Sequence, residues 1–505
     1  MTSSPARFRP GQNCWRIEPA RRFAVIVDAA DYFRLARNAM MAAERQITIV
    51  GWDFDPRIKL DPENPHGEAP ETLAAFIPWL AKRRPELEIR ILIWNMGAFK
   101  ILLRGLAALT LLNWKRRPNV TLRFDASHPI GATHHQKVIA IDGALAFCGG
   151  IDMTVDRWDT SEHHDRDPRR RRPTGGRYPP WHDATAAVNG GAARALADLC
   201  RDRWQAAVGE AIPVLDAPDP DRWIDGLDAQ LTDIDVAIAR TKPGSAGEEV
   251  REIEAMFLDL IAGAERYVYA DNQYFASRRI AEAIGRRLVE ARPPEFVLVN
   301  PESADGWLQE KAMGTARAEL MRALAKLDAH DRFRIYTPVT AGGTPIYVHA
   351  KLMIVDDVVV QIGSANMNNR SLGLDSECDV AVASPTGGTI AALRDRLMAE
   401  HLGTDPATVA RTLAETGSLI ATVDALAGHG KTLRRFRPPD FSGIDRALGA
   451  SELLDPESVD ERFEPLSRRG LFRRRDWWRR WQAWRDQRRA RRQPGRLRRL
   501  LRRRL

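Results

Sequence analysis

Cysteine is scarce in this chain, four in 505 residues. Cys14, Cys148, Cys200 and Cys378 show no CxxC spacing and two of them lie in apolar, strand-like runs, so a disulfide frame is excluded and reduced core thiols are expected. Long apolar runs are missing as well. The longest uncharged stretch near a possible anchor, Gly105 to Trp114, is about half of what a bilayer crossing needs, and Met1 to Trp15 has no apolar stretch of the kind that marks a secretory leader. The expectation is a cytoplasmic protein, at most peripheral to a membrane. Apolar residues are nevertheless plentiful, at 44%. In a chain too long for one ordinary core, that is enough for two packed domains.

The net charge of +9 is unevenly placed. From Arg468 to Leu505 there are 18 arginines against Asp476 and Asp486, a surplus of 16, so the rest of the chain carries about −7. The body is mildly acidic and the basicity lies in the tail. Within that tail Trp477, Trp481 and Trp484 recur at i, i+4 and i+7 with arginines between them, the pattern of a helix lying in a membrane interface with its Arg side chains on anionic lipids. The alternative is an arginine arm on nucleic acid; four tryptophans in so short a span favour the membrane.

Helix and strand signals alternate along the body. Asp31 to Arg45 has helical spacing, Gln46 to Phe54 reads as a buried strand, Glu71 to Arg84 as a helix, Leu87 to Trp94 as a strand, Ala98 to Trp114 as a helix and Val120 to Asp125 as a strand. After a segment rich in Asp, Pro and Gly the order returns. Ala264 to Phe275 echoes Ala43 to Phe54, followed by strands at Glu295 to Asn300 and Phe333 to Thr337. The reading is an α/β protein of two similar mixed-sheet half-domains related by a pseudo-twofold, with the site at their interface. Its divisions are an N-terminal segment 1–21, halves 22–208 and 248–428 joined by a linker 209–247, and an extension 429–505. One segment outside the repeat, Asp165 to Arg177, reads as a mobile surface loop in which Arg169 to Arg172 either steer an anionic substrate or are simply solvated.

Each half carries the same spaced pattern. His135, Lys137, Asp142 and Gly149-Gly150 match His349, Lys351, Asp356 and Gly363-Ser364, with four residues between Lys and Asp and six between Asp and the first Gly in both copies. His and Lys two positions apart share one side of an extended strand. A neutral imidazole can attack phosphorus while a protonated one opposite it protonates the leaving oxygen. The lysines supply fixed positive charge, and the Gly-Gly and Gly-Ser corners let backbone N–H groups and a hydroxyl approach the same anion. Asp183 and Glu377 stand in equivalent places downstream, where a carboxylate would fix a tautomer of each ring. His134-His135 with His163-His164-Asp165 offers no fixed metal geometry, so no metal is expected.

Two HxKxxxxD motifs make the chain resemble the phospholipase D superfamily over roughly Arg22 to Leu402. Gly149-Gly150-Ile151-Asp152 with Arg157 and Asp159, Pro180-Trp181-His182-Asp183, and Asn272-Gln273-Tyr274-Phe275 point to the phospholipase D branch, of bacterial type without the lipid-binding modules that precede the catalytic halves elsewhere. The resemblance implies that His135 is the nucleophile forming a phosphohistidine and His349 the general acid. Lys137, Lys351, Ser364 and Asn366 would hold the phosphate together with Gly149, Gly150 and Gly363, Asp183 and Glu377 would support the histidines, and no metal or other cofactor would be needed. Asp142 and Asp356 belong to the motif and are grouped with the catalytic residues, with a partly structural role. Asp152 stands where the second copy has Asn366; an anion there needs a partner, and Arg157 is the candidate.

The implied activity is hydrolysis of a glycerophospholipid to phosphatidic acid, with transfer to an alcohol as a variation. The competing readings are a cardiolipin synthase-like phosphatidyltransferase, a nuclease of the same superfamily and a non-catalytic membrane adaptor. The expected partners are a phospholipid substrate and an anionic membrane surface, not nucleic acid. Headgroup and oligomeric state are not legible.

Overall fold

The computed structural model describes residues 7–438 apart from 96–109, 112, 115, 130, 217, 245–248, 304–312 and 385–387. The tail, with Trp477, Trp481 and Trp484, lies outside the described residues, as does most of the helix expected over 98–114. Among the described residues no helix is long and apolar enough to cross a membrane.

The first half contributes β1 (Arg16–Val27), β2 (Gln46–Gly51), β3 (Glu88–Trp94), β4 (Val120–Asp125), β5 (Val138–Ile141), β6 (Leu145–Gly149), β7 (Trp181–His182) and β8 (Ala184–Asn189). The second contributes β9 (Leu231–Lys242), β10 (Val250–Arg251), β11 (Tyr267–Asn272), β12 (Glu295–Val299), β13 (Phe333–Val339), β14 (Tyr347–Val348), β15 (Lys351–Val355), β16 (Val359–Gly363), β17 (Glu377–Ala383) and β18 (Thr432–Arg435). All but β7 and β14 join one mixed sheet, ordered β18-β13-β12-β11-β15-β16-β17-β9-β1-β8-β6-β5-β2-β3-β4, with β10 on β9. Read outward from the central pair, β9-β17-β16-β15-β11-β12-β13 mirrors β1-β8-β6-β5-β2-β3-β4. The architecture is therefore α/β, with two equivalent half-sheets fused edge to edge.

The seam is the antiparallel pair β1 and β9, in register from Arg16 opposite Ile238 to Phe23 opposite Leu231. β9 lies within the expected linker 209–247, and β1 crosses the expected boundary between the segment 1–21 and the first half. The Pro- and Gly-rich part of 209–247 ends near Gly226, and Leu231–Lys242 behind it is a twelve-residue strand. The first residues of the 429–505 extension likewise close the sheet, as β18 on β13. Outer strands such as β2 and β3 are parallel and rich in Ile and Val, which suits strands buried on both faces. The small residues of β8, Ala-Thr-Ala-Ala-Val-Asn, leave room for the helix Gly190–Val208, which starts at a glycine with φ 66° and ends at Gly209 with φ 81°. All four cysteines are free and buried. Cys148 and Cys378, one from each half, bring their sulfurs to 3.6 Å.

Candidate active site

The two motif histidines sit where each half meets the other, just before strands β5 and β15. The His135 backbone N–H donates to the Ser376 carbonyl at 2.9 Å and that of His349 to the His182 carbonyl at 2.8 Å. Each histidine segment is thereby laid alongside the carboxylate-bearing segment of the opposite half. The side chains follow the same crossing. His135 Nδ1 is 3.0 Å from both oxygens of Glu377, and His349 Nδ1 is 2.7 Å from Asp183 Oδ2.

This geometry fixes the tautomers. His135 Nδ1 also lies 3.1 Å from the Ser364 carbonyl oxygen, which only accepts, so Nδ1 carries the proton and Nε2 is the bare nitrogen. His349 Nδ1 lies 2.7 Å from Asp183 Oδ2 and 3.1 Å from Lys351 Nζ, and its proton goes to the carboxyl oxygen, the shorter contact. Burial and the positive charges of Lys137 and Lys351 hold His135 well below the ordinary imidazole range. Burial, Lys351, Arg157 and Lys137 do the same for His349. Both rings are neutral in the free site, and both keep Nε2 for chemistry.

The lysines are anchored without being consumed. Lys137 Nζ donates to the His135 carbonyl at 2.7 Å and lies 3.3 Å from Asp152 Oδ2. Lys351 Nζ donates to the His349 carbonyl and to Gln273 Oε1 at 3.2 Å. Desolvation in this fully buried position brings Lys351 down to about 7. The partner of Asp152 is thus Lys137, with the Trp52 backbone N–H at 2.9 Å as a second donor. Arg157, the partner expected for it, instead stacks on Trp181 at 4.2 Å.

Several expected roles change once the fold is in view. Ser364 donates its hydroxyl to Glu377 Oε2 at 2.6 Å and accepts from the Cys378 N–H at 3.0 Å, and its own N–H goes to Asp379 at 2.9 Å. It supports Glu377 and has no group left for a phosphate. Gly150 gives its N–H to Ala184 and is needed for another reason: a Cβ there would collide with Asp183 Oδ1. Gly149 and Gly363 press in the same way on Thr185 and Asp379, so the glycine corners make room for neighbours and do not present N–H groups to an anion. Asn366 is buried with its amide oxygen unpartnered.

Asp142 and Asp356 are not brought to the histidines. They occupy the hairpin turns at the far ends of β5 and β15, roughly 20 Å from the motif histidines at strand rise, both with φ 53°. Asp142 accepts the N–H groups of Glu44, Arg45 and Gln46 at 2.7–2.9 Å, and Asp356 those of Glu265, Arg266 and Tyr267 at 2.7–2.9 Å. The loop arginines are also engaged: Arg169 with Asp167 and Glu63, Arg170 with Asp159, and Arg172 with Asp156. Arg171, which is exposed, donates to the Pro168 and Gly175 carbonyl oxygens.

The structure adds residues that the motif spacing did not single out. Trp52 meets His135 edge-on at 5.7 Å and stacks on Trp94 at 6.0 Å, while Trp181 lies against His349 at 5.2 Å and stacks on Tyr347 at 4.5 Å. An aromatic pair thus flanks each imidazole. Their signal was weak: Gly51-Trp52-Asp53 ends a strand, and Tyr347 precedes His349 by two. His134, adjacent to His135, turns to Ser376 at 2.7 Å and Asp125 at 3.2 Å and stays apart from His163.

Two imidazoles with bare Nε2 atoms, His349 buried and His135 partly exposed, together with two lysines make an arrangement suited to nucleophilic transfer at phosphorus. Comparison with known proteins bears on the lineage. A family described as "Cardiolipin synthase, PLD-like domain" matches residues 257–400. Phospholipase D A of Dictyostelium discoideum is 26% identical over 420 residues, covering 70% of this chain and 32% of that protein. Phospholipase D alpha 4 of Arabidopsis thaliana is 24% identical over 480 residues, covering 72% and 62%. These matches support membership of the phospholipase D superfamily. The chain spans less than two thirds of either superfamily relative. Its fold is shared with phosphatidylserine synthase of Haemophilus influenzae Rd KW20, with a TM-score of 0.51 at 12% identity over 76% of this chain and 87% of that one.

Proposed function

We propose that the chain is a phospholipase D-type phosphodiesterase that releases the headgroup alcohol of a glycerophospholipid through a phosphohistidine on His135. The observation that carries this reading is the pair of neutral imidazoles, each held at Nδ1 by a carboxyl group of the opposite half. His135 Nε2 attacks phosphorus and forms the N–P bond as the P–O bond to the headgroup breaks. His349, which takes up a proton at Nε2 from solvent as the anionic diester binds, gives that proton to the leaving oxygen. A water then yields a proton to His349 and attacks phosphorus, which frees His135 and phosphatidic acid. Binding of the anionic diester raises the proton affinity of His349, which the lysines depress in the free site. Lys137 and Lys351 meet the charge on the phosphoryl oxygens. Asn366 completes that cradle.

Transfer to an alcohol in place of water is the second reading, favoured by the description of the family matching 257–400. The tail around Trp477, Trp481 and Trp484 is proposed to dock the enzyme on anionic lipid as a peripheral protein. A lipid-panel assay with mass-spectrometric product identification, with and without glycerol, separates hydrolysis from transfer. Replacing His135→Ala is expected to cut headgroup release from phosphatidylcholine or phosphatidylethanolamine vesicles by at least about 10³-fold, and unaltered release would remove the mechanism. A chain ending near residue 464 is expected to bind anionic vesicles more weakly than the full chain; equal binding removes the tail's role.

A further inference from the structure

Behind the histidine pair lies a second set of titratable groups that the reaction does not use. Asp28, His163, His182 and Glu400 converge from the end of β1, the loop after β6, the short strand β7 and the helix Gly388–Leu402. None of these side chains is more than 3% exposed. His163 Nε2 is 3.1 Å from Glu400 Oε1 and 3.7 Å from Asp28 Oδ2. His182 Nδ1 is 2.7 Å from Glu400 Oε1 and 3.5 Å from Asp28 Oδ1. One ligand atom from each of the four lies within 4.8 Å of the others.

These separations suit a metal ion. Nitrogen and oxygen ligands about 2.0–2.1 Å from a tetrahedral zinc stand about 3.3 Å from one another, and the separations here, with Asp28 approached through a different oxygen by each ring, run from 2.7 to 3.7 Å. Each ring turns one nitrogen inward and the other to a carboxylate outside the set: His163 Nδ1 is 2.9 Å from Asp159 Oδ2, and His182 Nε2 is 3.2 Å from Asp271 Oδ2. Arg170 in turn donates to both oxygens of Asp159 at 2.9 Å. Carboxylates placed this way orient metal-bound imidazoles and fix which nitrogen binds. Glu400 Oε2, buried in the same cluster, has no hydrogen-bond partner. Asp28, Asp159, Asp271 and Glu400 gather here against Arg170 and the nearby Lys431, an excess of carboxyl groups that a divalent ion would offset.

We propose that Asp28, His163, His182 and Glu400 form a binding site for a divalent transition-metal ion of the zinc type. Four protein ligands leave no open position, which makes the site structural and not catalytic. It ties the helix Gly388–Leu402 of the second half to the first half directly behind the acid pair: the Asp28 N–H donates to the Asp183 carbonyl at 2.8 Å, and the His182 carbonyl accepts from His349. The sequence spacing set His163 beside His134, which hid its partner His182.

The full chain, refolded from denaturant with or without ZnCl2 and freed of loose metal by gel filtration, tests this by elemental analysis and thermal unfolding. About one zinc per chain is expected to remain bound, with a raised Tm, and Co²⁺ in its place should give the intense visible bands of a four-coordinate ion. His163→Gln and Glu400→Gln should weaken retention at least about 100-fold, while His401→Gln, outside the set, keeps it. A wild-type chain that refolds with the same Tm and no retained zinc overturns the site and leaves a proton-bridged cluster. Zinc lost from His401→Gln but kept by His163→Gln overturns it in favour of His182, Asp271 and His401. If the variants do not fold, the wild-type comparison decides alone.

Discussion

Glu377 is the residue through which pH should act on stability. Its carboxyl, ordinarily near 4.5, is pushed up to about 8 by burial, against the pull of Lys137 and Ser364. Beside it, burial and the charge of Glu377 push Asp379 up to about 7. A raised carboxyl keeps its proton in the fold at pH values where the unfolded chain has lost it. Its stabilising contribution is therefore complete below about pH 4.5 and is lost as pH rises through about 8. Lys351 contributes with the opposite sign, and because the Glu377 charge acts on both Lys351 and Asp379, the variant reports the Glu377 proton together with its effect on these two neighbours. Urea unfolding of wild type and Glu377→Gln at about pH 5 and about pH 8.5 should show the deficit of the variant shrinking as pH rises; a deficit that does not change with pH would show that Glu377 keeps an ordinary affinity for protons. Ser364 makes a related point at this scale. A serine in a Gly-Ser corner reads as a phosphate ligand, yet its hydroxyl is spent on the carboxylate that orients the nucleophile.

At the scale of elements, the motif is a hairpin with two working ends. The β5–β6 and β15–β16 turns each place an aspartate at positive φ, where it collects three backbone N–H groups from the start of the neighbouring strand. That pins the register of β2 against β5 and of β11 against β15, and hence the height at which each histidine emerges. Asp142→Ala is expected to cost about 2–3 kcal/mol by urea unfolding, with kcat of the folded enzyme near that of wild type. A kcat collapse at unchanged stability would return Asp142 to the chemistry. The spacing of the motif was legible in sequence because a strand of four residues and its turn admit few variations. The strands β2, β3, β4, β12 and β13 were legible for a similar reason, since runs of Ile, Val and Leu have few other uses. β1 and β9 were not, because Pro19 with Arg21 and Arg22, and Asp233 with Asp235, mask strands that are half exposed at one end and buried at the other. Nor was the pairing of Arg169, Arg170 and Arg172, since composition shows charge but not the carboxylates folded beneath it.

For the whole molecule, the β1–β9 seam and the crossed carboxylates make one site from two halves of a single chain. A mixture of His135→Ala and His349→Ala chains is expected to show no more headgroup release than the sum of the separate variants. Recovery on mixing would mean that halves are exchanged between chains. Sequence could locate the histidines and the two carboxylates but not their partnering. Asp183 reaches a histidine 166 positions away, and Glu377 one that is 242 away, contacts that no local pattern encodes. That crossing should leave a trace in descent. Among relatives, drift at position 349 should release Asp183, in the other half, while Glu377 stays under selection with His135, so that the units that vary together run diagonally across the ancestral duplication and not along either copy.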